Sequence, residues 1–297
     1  MPQFYLGSSN ASTTFLGNSP INQINLLGPI IATGGTITYE GDYIYHTFND
    51  VGSFIFEVNA LGTNNTIEYL IVGGGGGGGN GTSSSGAGGG GAGGYVSGSF
   101  IAAVGNYNGS VGAGGGENAN GTSSIFSGIE AYGGGAGSND STDAQDGASG
   151  GGACAFDPSD FGSNIHGDQG YRGGRGETGA GDPNAVGGGG GGASAVGVDG
   201  NAVRYDLVLW RLVGGNGGAG KLWSDGNYYA GGGGGYAGPN EDDAVQGVGG
   251  IGGGGTADFD GASGTSNTGG GGGGGQTTSG AGGSGIVKLR YRYQNFS

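Results

Sequence analysis

The sequence predicts an all-β protein with almost no α-helix and an inserted bundle of polyglycine II helices. Three observations lead there. First, 88 of the 297 residues are glycine. No long segment carries an apolar stripe at the helical period, and each interior glycine costs a helix about 1 kcal/mol. Second, glycine comes in runs, at 73–79, 88–91, 187–192, 231–235, 252–255 and 269–275, set between short β-branched and aromatic segments. Third, residues 285–294 alternate Val287, Leu289, Tyr291 and Tyr293 with Lys288, Arg290 and Arg292, the two-residue period of a half-buried strand.

Residues 1–30 carry Leu-Gly at 6–7, 16–17 and 27–28 between Ser, Asn and Pro turns. They hold too little apolar mass for a core, so they read as an extended attachment segment. Phe4, Tyr5, Leu6, Phe15, Leu16, Leu26 and Leu27 are its docking residues. Residues 31–297 then form one domain.

Residues 34–72 read as a β-meander that turns at Glu40-Gly41-Asp42 and at 61–66. Phe54, Phe56 and Val58 share one face of its middle strand, with Ile55 and Glu57 on the other. Further strand candidates are 94–101, 107–114, 123–134 and 203–213. The terminal strand needs partners, and the best ones lie at 34–72. The framework is therefore expected at about 34–72, 94–134 and 285–294, with the glycine bundle held within 73–284.

The glycine runs admit three readings. Residues 215–221 fit a GxxxxGK phosphate loop, but Leu222 replaces the metal-binding Ser/Thr and no helix follows. A free linker is not punctuated by aromatics such as Tyr95, Phe100, Tyr132, Phe161 and Trp223. Polyglycine II has three residues per turn and no internal hydrogen bonds. Its backbone must therefore pair with neighbouring segments, which glycine lets approach closely. Collagen is excluded, because only six prolines occur and the glycine spacing is irregular.

The formal net charge is −15, and none of the eight Lys and Arg precedes Arg172. Nucleic-acid and anionic-membrane binding are not expected of such a chain. Cys154 stands alone, which excludes an intrachain disulfide and a cysteine-based metal site. No secretory leader is expected, because MPQFYLGSSNASTT lacks a charged n-region and an apolar h-region, and no membrane span, because there is no apolar stretch of about 18 residues. His46 in YIYHTF reads as structural, and His166 lies in a loop without a nucleophile signature. Asp140, Asp143 and Asp146 lack the spacing of a calcium loop. No enzyme activity, cofactor or metal is expected. Residues 223–229, WSDGNYY, are the best binding candidate, with rigid aromatic area and hydrogen-bonding Asp and Asn. The favoured reading of the same rings is that they cap a bundle that has no side chains of its own.

The succession GSFIFEV, IEYLIVGGGGGGG, GAGGGGAGGYVSGSF and the closing GGSGIV-x-x-RY resembles the glycine-rich domain of phage tail-fibre and other virion proteins. The likeness spans roughly residues 34–294, and it extends more distantly to the TNF-like glycine-rich region of receptor kinases of the anaplastic lymphoma kinase type. The oligoglycine runs also resemble those of T-even-type tail-fibre-tip adhesins. This resemblance implies a jelly-roll or TNF-like β-framework on a virion assembled in the host cytoplasm and released by lysis. It implies attachment to other virion proteins through residues 1–30, a homo-oligomer such as a trimer, and a host surface receptor, glycan or protein. Receptor contact would fall between the glycine runs, at 80–87, 138–149, 156–186, 222–229, 239–246 and 256–268. The candidate contact residues are Trp223, Asp225, Asn227, Tyr228, Tyr229, Phe161, His166 and Tyr171. The alternative is a fibre, collar or capsid-decoration subunit that binds mainly virion proteins.

Overall fold

Alternation of large apolar residues along the first strands decides how two sheets close on one another. The computed structural model describes residues 28–81, 86–155, 160–178, 185–204, 210–238 and 244–293. The docking residues Phe4, Tyr5, Leu6, Phe15, Leu16, Leu26 and Leu27 lie outside them. Nine strands precede and interrupt the first glycine runs: β1 (Ile31–Thr33), β2 (Thr36–Glu40), β3 (Tyr43–Phe48), β4 (Gly52–Ala60), β5 (Thr66–Val72), β6 (Tyr95–Ile101), β7 (Gly105–Val111), β8 (Ser124–Phe126) and β9 (Ile129–Ala131). Short pairs follow within the bundle: β10 (Glu177–Thr178) with β11 (Ala185–Val186), β12 (Asn201–Arg204) with β13 (Trp210–Val213), and β14 (Lys221–Leu222) with β15 (Tyr228–Tyr229). The last strand is β16 (Ile286–Arg292).

The framework is two five-stranded antiparallel sheets, ordered β1-β4-β7-β8-β9 and β2-β3-β16-β5-β6. Their facing sides share one core, to which Phe56, Val58 and Phe126 come from the first sheet and Phe48, Ile67, Ile71 and Leu289 from the second. Residues 34–72 are therefore not a single meander. β2 and β3 pair, but β4 lies in the opposite sheet. Ile44, His46 and Phe48 of β3 are buried on one face, and the Phe56 and Val58 face of β4 is also buried. Those two surfaces bury more by lying face to face than by running edge to edge.

The terminal strand finds its expected partners. β16 runs between β3 and β5, with Leu289 opposite both His46 and Tyr69. It is not half-buried, however. Val287, Leu289 and Tyr291 face the shared core, while the Lys288 and Arg290 side chains on the other face keep only 14% and 11% of their exposure. Tyr293 lies beyond the strand and packs edge-on against Tyr39. The candidate at 123–134 folds into β8 and β9 around Ser127 and Gly128, both at positive φ (50° and 83°), as a tight hairpin turn requires. The candidate at 203–213 likewise divides into β12 and β13.

The run 73–79 is built by its hydrogen bonds. The N–H groups of Gly73, Gly76 and Gly79 donate to the carbonyls of Gly94, Gly91 and Gly88. Gly74 and Gly77 donate to Thr122 and Ala119, and Gly75 and Gly78 to Gly283 and Gly280. Three other segments donate back: Gly134 and Gly137 to Gly74 and Gly77, Gly115 and Asn118 to Gly75 and Gly78, and Gly272 and Gly275 to Gly76 and Gly79. Every partner recurs at the third residue, which is the three-residue turn of polyglycine II. The N···O distances are 2.8–3.1 Å, ordinary good hydrogen bonds. The run is thus surrounded by six segments, three antiparallel and three parallel to it. Residues 88–94, 187–193 and 230–236 are enclosed in the same way. A Cβ on any residue of 73–79 would land on a neighbouring backbone carbonyl, such as that of Gly135 for Gly76 or Gly116 for Gly77.

These pairings give the molecule an axis. β5 leads directly into 73–79, so that run leaves the framework and each antiparallel partner returns to it. Followed through the chain, the directions bring the ends of the connections 81–86, 139–144, 155–160, 178–185, 204–210, 238–244 and 258–261 to the far end of the bundle. The connections 164–170, 193–195, 221–229 and 265–269 lie at the framework end. Gly28 lies at the opposite pole, where its carbonyl accepts the N–H of Thr63 just ahead of β5.

Candidate functional site

The segment 223–229 closes the hairpin of β14 and β15. The N–H of Gly226 donates to the carbonyl of Trp223, and that of Trp223 to the carbonyl of Asn227. Gly226 has φ +82°, the left-handed residue that ends a three-residue hairpin loop. The hairpin lies on the outer face of β16 and its neighbours. Trp223 packs with Tyr45, Leu70, Tyr95, Tyr229 and Ile286 and is 6% exposed. Tyr229 is buried beside it, whereas Asn227 and Tyr228 remain exposed. The indole and the Tyr229 ring cap the junction of bundle and framework, leaving Asn227 and Tyr228 as the side chains of this set open to solvent.

Asp225 is the electrostatic pin of the hairpin. Its carboxylate accepts hydrogen bonds from the Lys288 ammonium, from the Tyr229 hydroxyl at 2.8 Å and from the N–H of Asn227 at 3.0 Å. Burial opposes ionisation of Asp225, but the Lys288 hydrogen bond and the two further donors outweigh it and hold the carboxyl below the usual carboxylate range. Burial, then the Asp225 carboxylate, push the Tyr229 hydroxyl upward. Arg290 gives Nε and Nη2 to one oxygen of Glu68 at 3.0 and 2.8 Å, and Nη1 to the Tyr45 hydroxyl and the Ser224 carbonyl, each at 3.1 Å. Its guanidinium also lies 4.2 Å from the Tyr43 ring centroid and 5.5 Å from that of Trp223. Lys288 and Arg290 of β16 therefore hold the hairpin rather than meeting solvent, while Arg292 at the strand's end stays exposed.

The other candidates stand elsewhere. His166 stacks on Tyr132 at 3.5 Å between centroids, at the framework end. Gln169 fixes that contact by accepting from the Tyr132 N–H and donating to the Glu130 carbonyl, both at 3.0 Å. Phe161 is half-buried beneath two guanidiniums, with Arg172 at 4.6 Å and Arg175 at 5.6 Å from its centroid. Tyr171 is 43% exposed. Among the described residues, no hydrogen bond or ring contact joins this set to the 223–229 hairpin, and no group of three His, Cys, Asp or Glu converges to hold a metal ion.

The model of the glycine-rich domain family matches residues 49–292, from the start of the β4 region through β16. The chain belongs to that family. No curated protein matches it. In this glycine-rich domain, sequence reasoning missed Lys288, Arg290 and Glu68 as partners of the hairpin. It also missed a cluster at the far end, where the parallel runs 73–79, 112–117 and 132–138 each finish near an asparagine. Asn118 Nδ2 donates to Asn80 Oδ1 at 2.8 Å, and Asn139 Nδ2 to Asn118 Oδ1 at 2.9 Å. Asparagine following a glycine run was the available signal.

Proposed function

We propose that this glycine-rich domain is a virion surface protein, a phage tail-fibre adhesin whose inter-glycine loops meet a host receptor. The observation that carries the reading is the axial polarity of the chain. Gly28 lies at one pole, and the described ends of the connections 81–86, 139–144, 155–160, 178–185, 204–210, 238–244 and 258–261 lie at the other, across the glycine bundle. Attachment through the N-terminal segment at one end and recognition at the other fits that layout. A rigid bundle suits the role, because exposed loops on a fixed scaffold are where binding residues concentrate. The framework is read as jelly-roll-like, which two facing antiparallel sheets permit. Membership of the glycine-rich family adds support through the resemblance to virion proteins.

Within this reading the far-end connections, with the Asn80, Asn118 and Asn139 cluster beneath them, take over recognition from the Trp223 hairpin, which points to the framework. Adsorption of purified full-length protein to a panel of bacterial strains tests the proposal. Saturable binding to at least one strain at physiological salt is expected, weakened by exchanging residues 139–144 for Gly-Ser. Absence of saturable binding on every strain, with the protein still incorporated in particles, would instead support a purely structural virion subunit.

A further inference from the structure

Beside the docked hairpin an open groove of about 410 Å³ runs between β6 and residues 221–224. That volume lies in the range of small-molecule sites. Its floor is the outer edge of the sheet, where β6 is the terminal strand and Ser97 and Ser99 are exposed. Ser97 and Ser99 stand opposite Leu70 and Glu68 of β5, so alternation puts both hydroxyls on the hairpin side. Glu68 borders one part of the groove and Lys221 another.

The walls are fixed. Arg290 ties Glu68 to the Ser224 carbonyl, the Tyr95 hydroxyl donates to the Leu222 carbonyl at 3.3 Å, and Asp225 locks the hairpin to Lys288. Lys221 differs from Lys288 and Arg290. It lies 5.2 Å from the Tyr95 ring centroid, and among the described residues it has no carboxylate within ion-pair distance. The aromatic rings at the border are nearly closed to solvent, with Tyr95 and Trp223 each 6% exposed. The groove thus offers hydroxyls, one carboxylate, one ammonium and the 50% exposed Leu222, but no deep apolar pocket.

We propose that this groove binds a neutral saccharide of one or two units. Ser97, Ser99 and Lys221 would donate to ring and hydroxyl oxygens, Glu68 would accept from hydroxyls, and Leu222 would cover a C–H face. Charged partners on both sides suit a ligand that donates and accepts at once, and hydrogen bonds to charged groups are the stronger ones. An extended peptide added along the β6 edge would be specified through side-chain pockets, whereas this groove is lined by Ser97, Ser99, Glu68 and Lys221. The proposal stands apart from the adhesin reading, whose receptor surface is the far-end loops, and needs only a free sugar as its ligand.

Saturation-transfer NMR of the full chain with free glucose, galactose, mannose, N-acetylglucosamine and their common disaccharides tests it. Binding by the wild-type protein is expected for at least one sugar. Ser99→Trp, which fills the groove from an exposed position, is expected to abolish the signal with an unchanged melting temperature. Lys221→Ala is expected to weaken it about tenfold. No sugar bound by the wild type overturns the proposal, as does a signal retained in Ser99→Trp or short peptides bound in place of sugars. Cell adsorption of Ser99→Trp separates the two readings. Lost sugar binding with retained adsorption leaves the far-end loops as the receptor surface, and adsorption without any sugar binding removes the groove alone.

Discussion

The framework and the bundle both enclose a dry interior, and they do so by opposite means. In the framework, Phe56, Ile67 and Leu289 reach 0% exposure inside one another's surfaces. In the bundle, residues 73–79 are just as buried, yet no side chain is present. There the filling is backbone, with each N–H, and the C=O groups of Gly74 to Gly79, satisfied by one of six neighbours. The first interior gains about 25 cal/mol for each Å² of apolar surface removed from water. The second gathers about 1 kcal/mol net per hydrogen bond and the dispersion of close backbone contacts, against the high entropy cost of ordering glycine. Since polyglycine II has no internal hydrogen bonds, a single run gains nothing, and only enclosure by many neighbours holds it. The framework should therefore suffer from atoms removed and the bundle from atoms added.

Gly90→Ala is the strongest way to break that comparison. Its Cβ would strike the Gly76 carbonyl, and neither strand can withdraw, because each is hydrogen-bonded on several sides. A loss of about 4 kcal/mol or more is expected, at the severe end for single substitutions. Urea unfolding followed by tryptophan fluorescence measures it. A loss below about 1 kcal/mol would mean that the bundle is not close-packed.

Phe56→Ala tests the other side. The ring lies 5.0 Å from His46, 6.1 Å from Tyr107 and 6.4 Å from Phe126 between centroids. Its removal leaves a cavity worth about 3–5 kcal/mol, and Phe56→Leu should recover more than half of that in the same titration. If Phe56→Ala proves nearly neutral, the sandwich core is not what stabilises the framework.

Much of this division was legible in the sequence. The alternation of Phe54, Phe56 and Val58, and of Val287, Leu289 and Tyr291, reports burial directly. Oligoglycine punctuated by aromatics excludes a linker and leaves a packed bundle. Periodicity says which face of a strand is buried but not which sheet receives it, so β4 was expected beside β3 rather than across from it. The same blindness hid the fate of Lys288 and Arg290. Charged residues at alternate positions read as a solvent face, and only the pairing Lys288–Asp225, across 63 positions, turns that face into an anchor. The far-end gathering of loops follows from the direction of each glycine run, which composition does not encode.

The pH response separates the regions further, because the run 73–79 holds no titratable side chain. His46 is fully buried. Its Nδ1–H donates to the Gly34 carbonyl at 2.7 Å, and its Nε2 accepts from the Tyr291 hydroxyl at 3.0 Å; the carbonyl partner assigns this tautomer. Burial, only partly offset by the Gly34 hydrogen bond, lowers its pKa from the usual 6.5. The unfolded chain then takes up the proton first, so stability should fall as pH drops below about 6.5 and level off below the lowered value. Asp225 is also held below its usual 3.8, so its contribution should be lost at more acidic pH, below about that value. Urea midpoints across pH 3–8 are expected to show two declines. Asp225→Asn should remove the second and cost about 3 kcal/mol at neutral pH, because it leaves Lys288 buried without its partner. Absence of the upper decline would remove His46 from this account, and absence of the lower one would remove Asp225.

The smallest expected effect is the sharpest control. Gly116 is the residue whose carbonyl would be struck by a side chain on Gly77, yet a Cβ on Gly116 itself meets nothing within 4 Å. It is exposed and shows no left-handed φ. Alanine there should stay within about 0.5 kcal/mol of the parent or stabilise it slightly, by restricting the unfolded chain. Thermal unfolding of Gly116→Ala beside Gly77→Ala compares both sides of one contact. If the two lose equally, glycine is required throughout the bundle by backbone conformation. If only Gly77→Ala fails, the requirement is close approach, and it applies only to the residues that point inward.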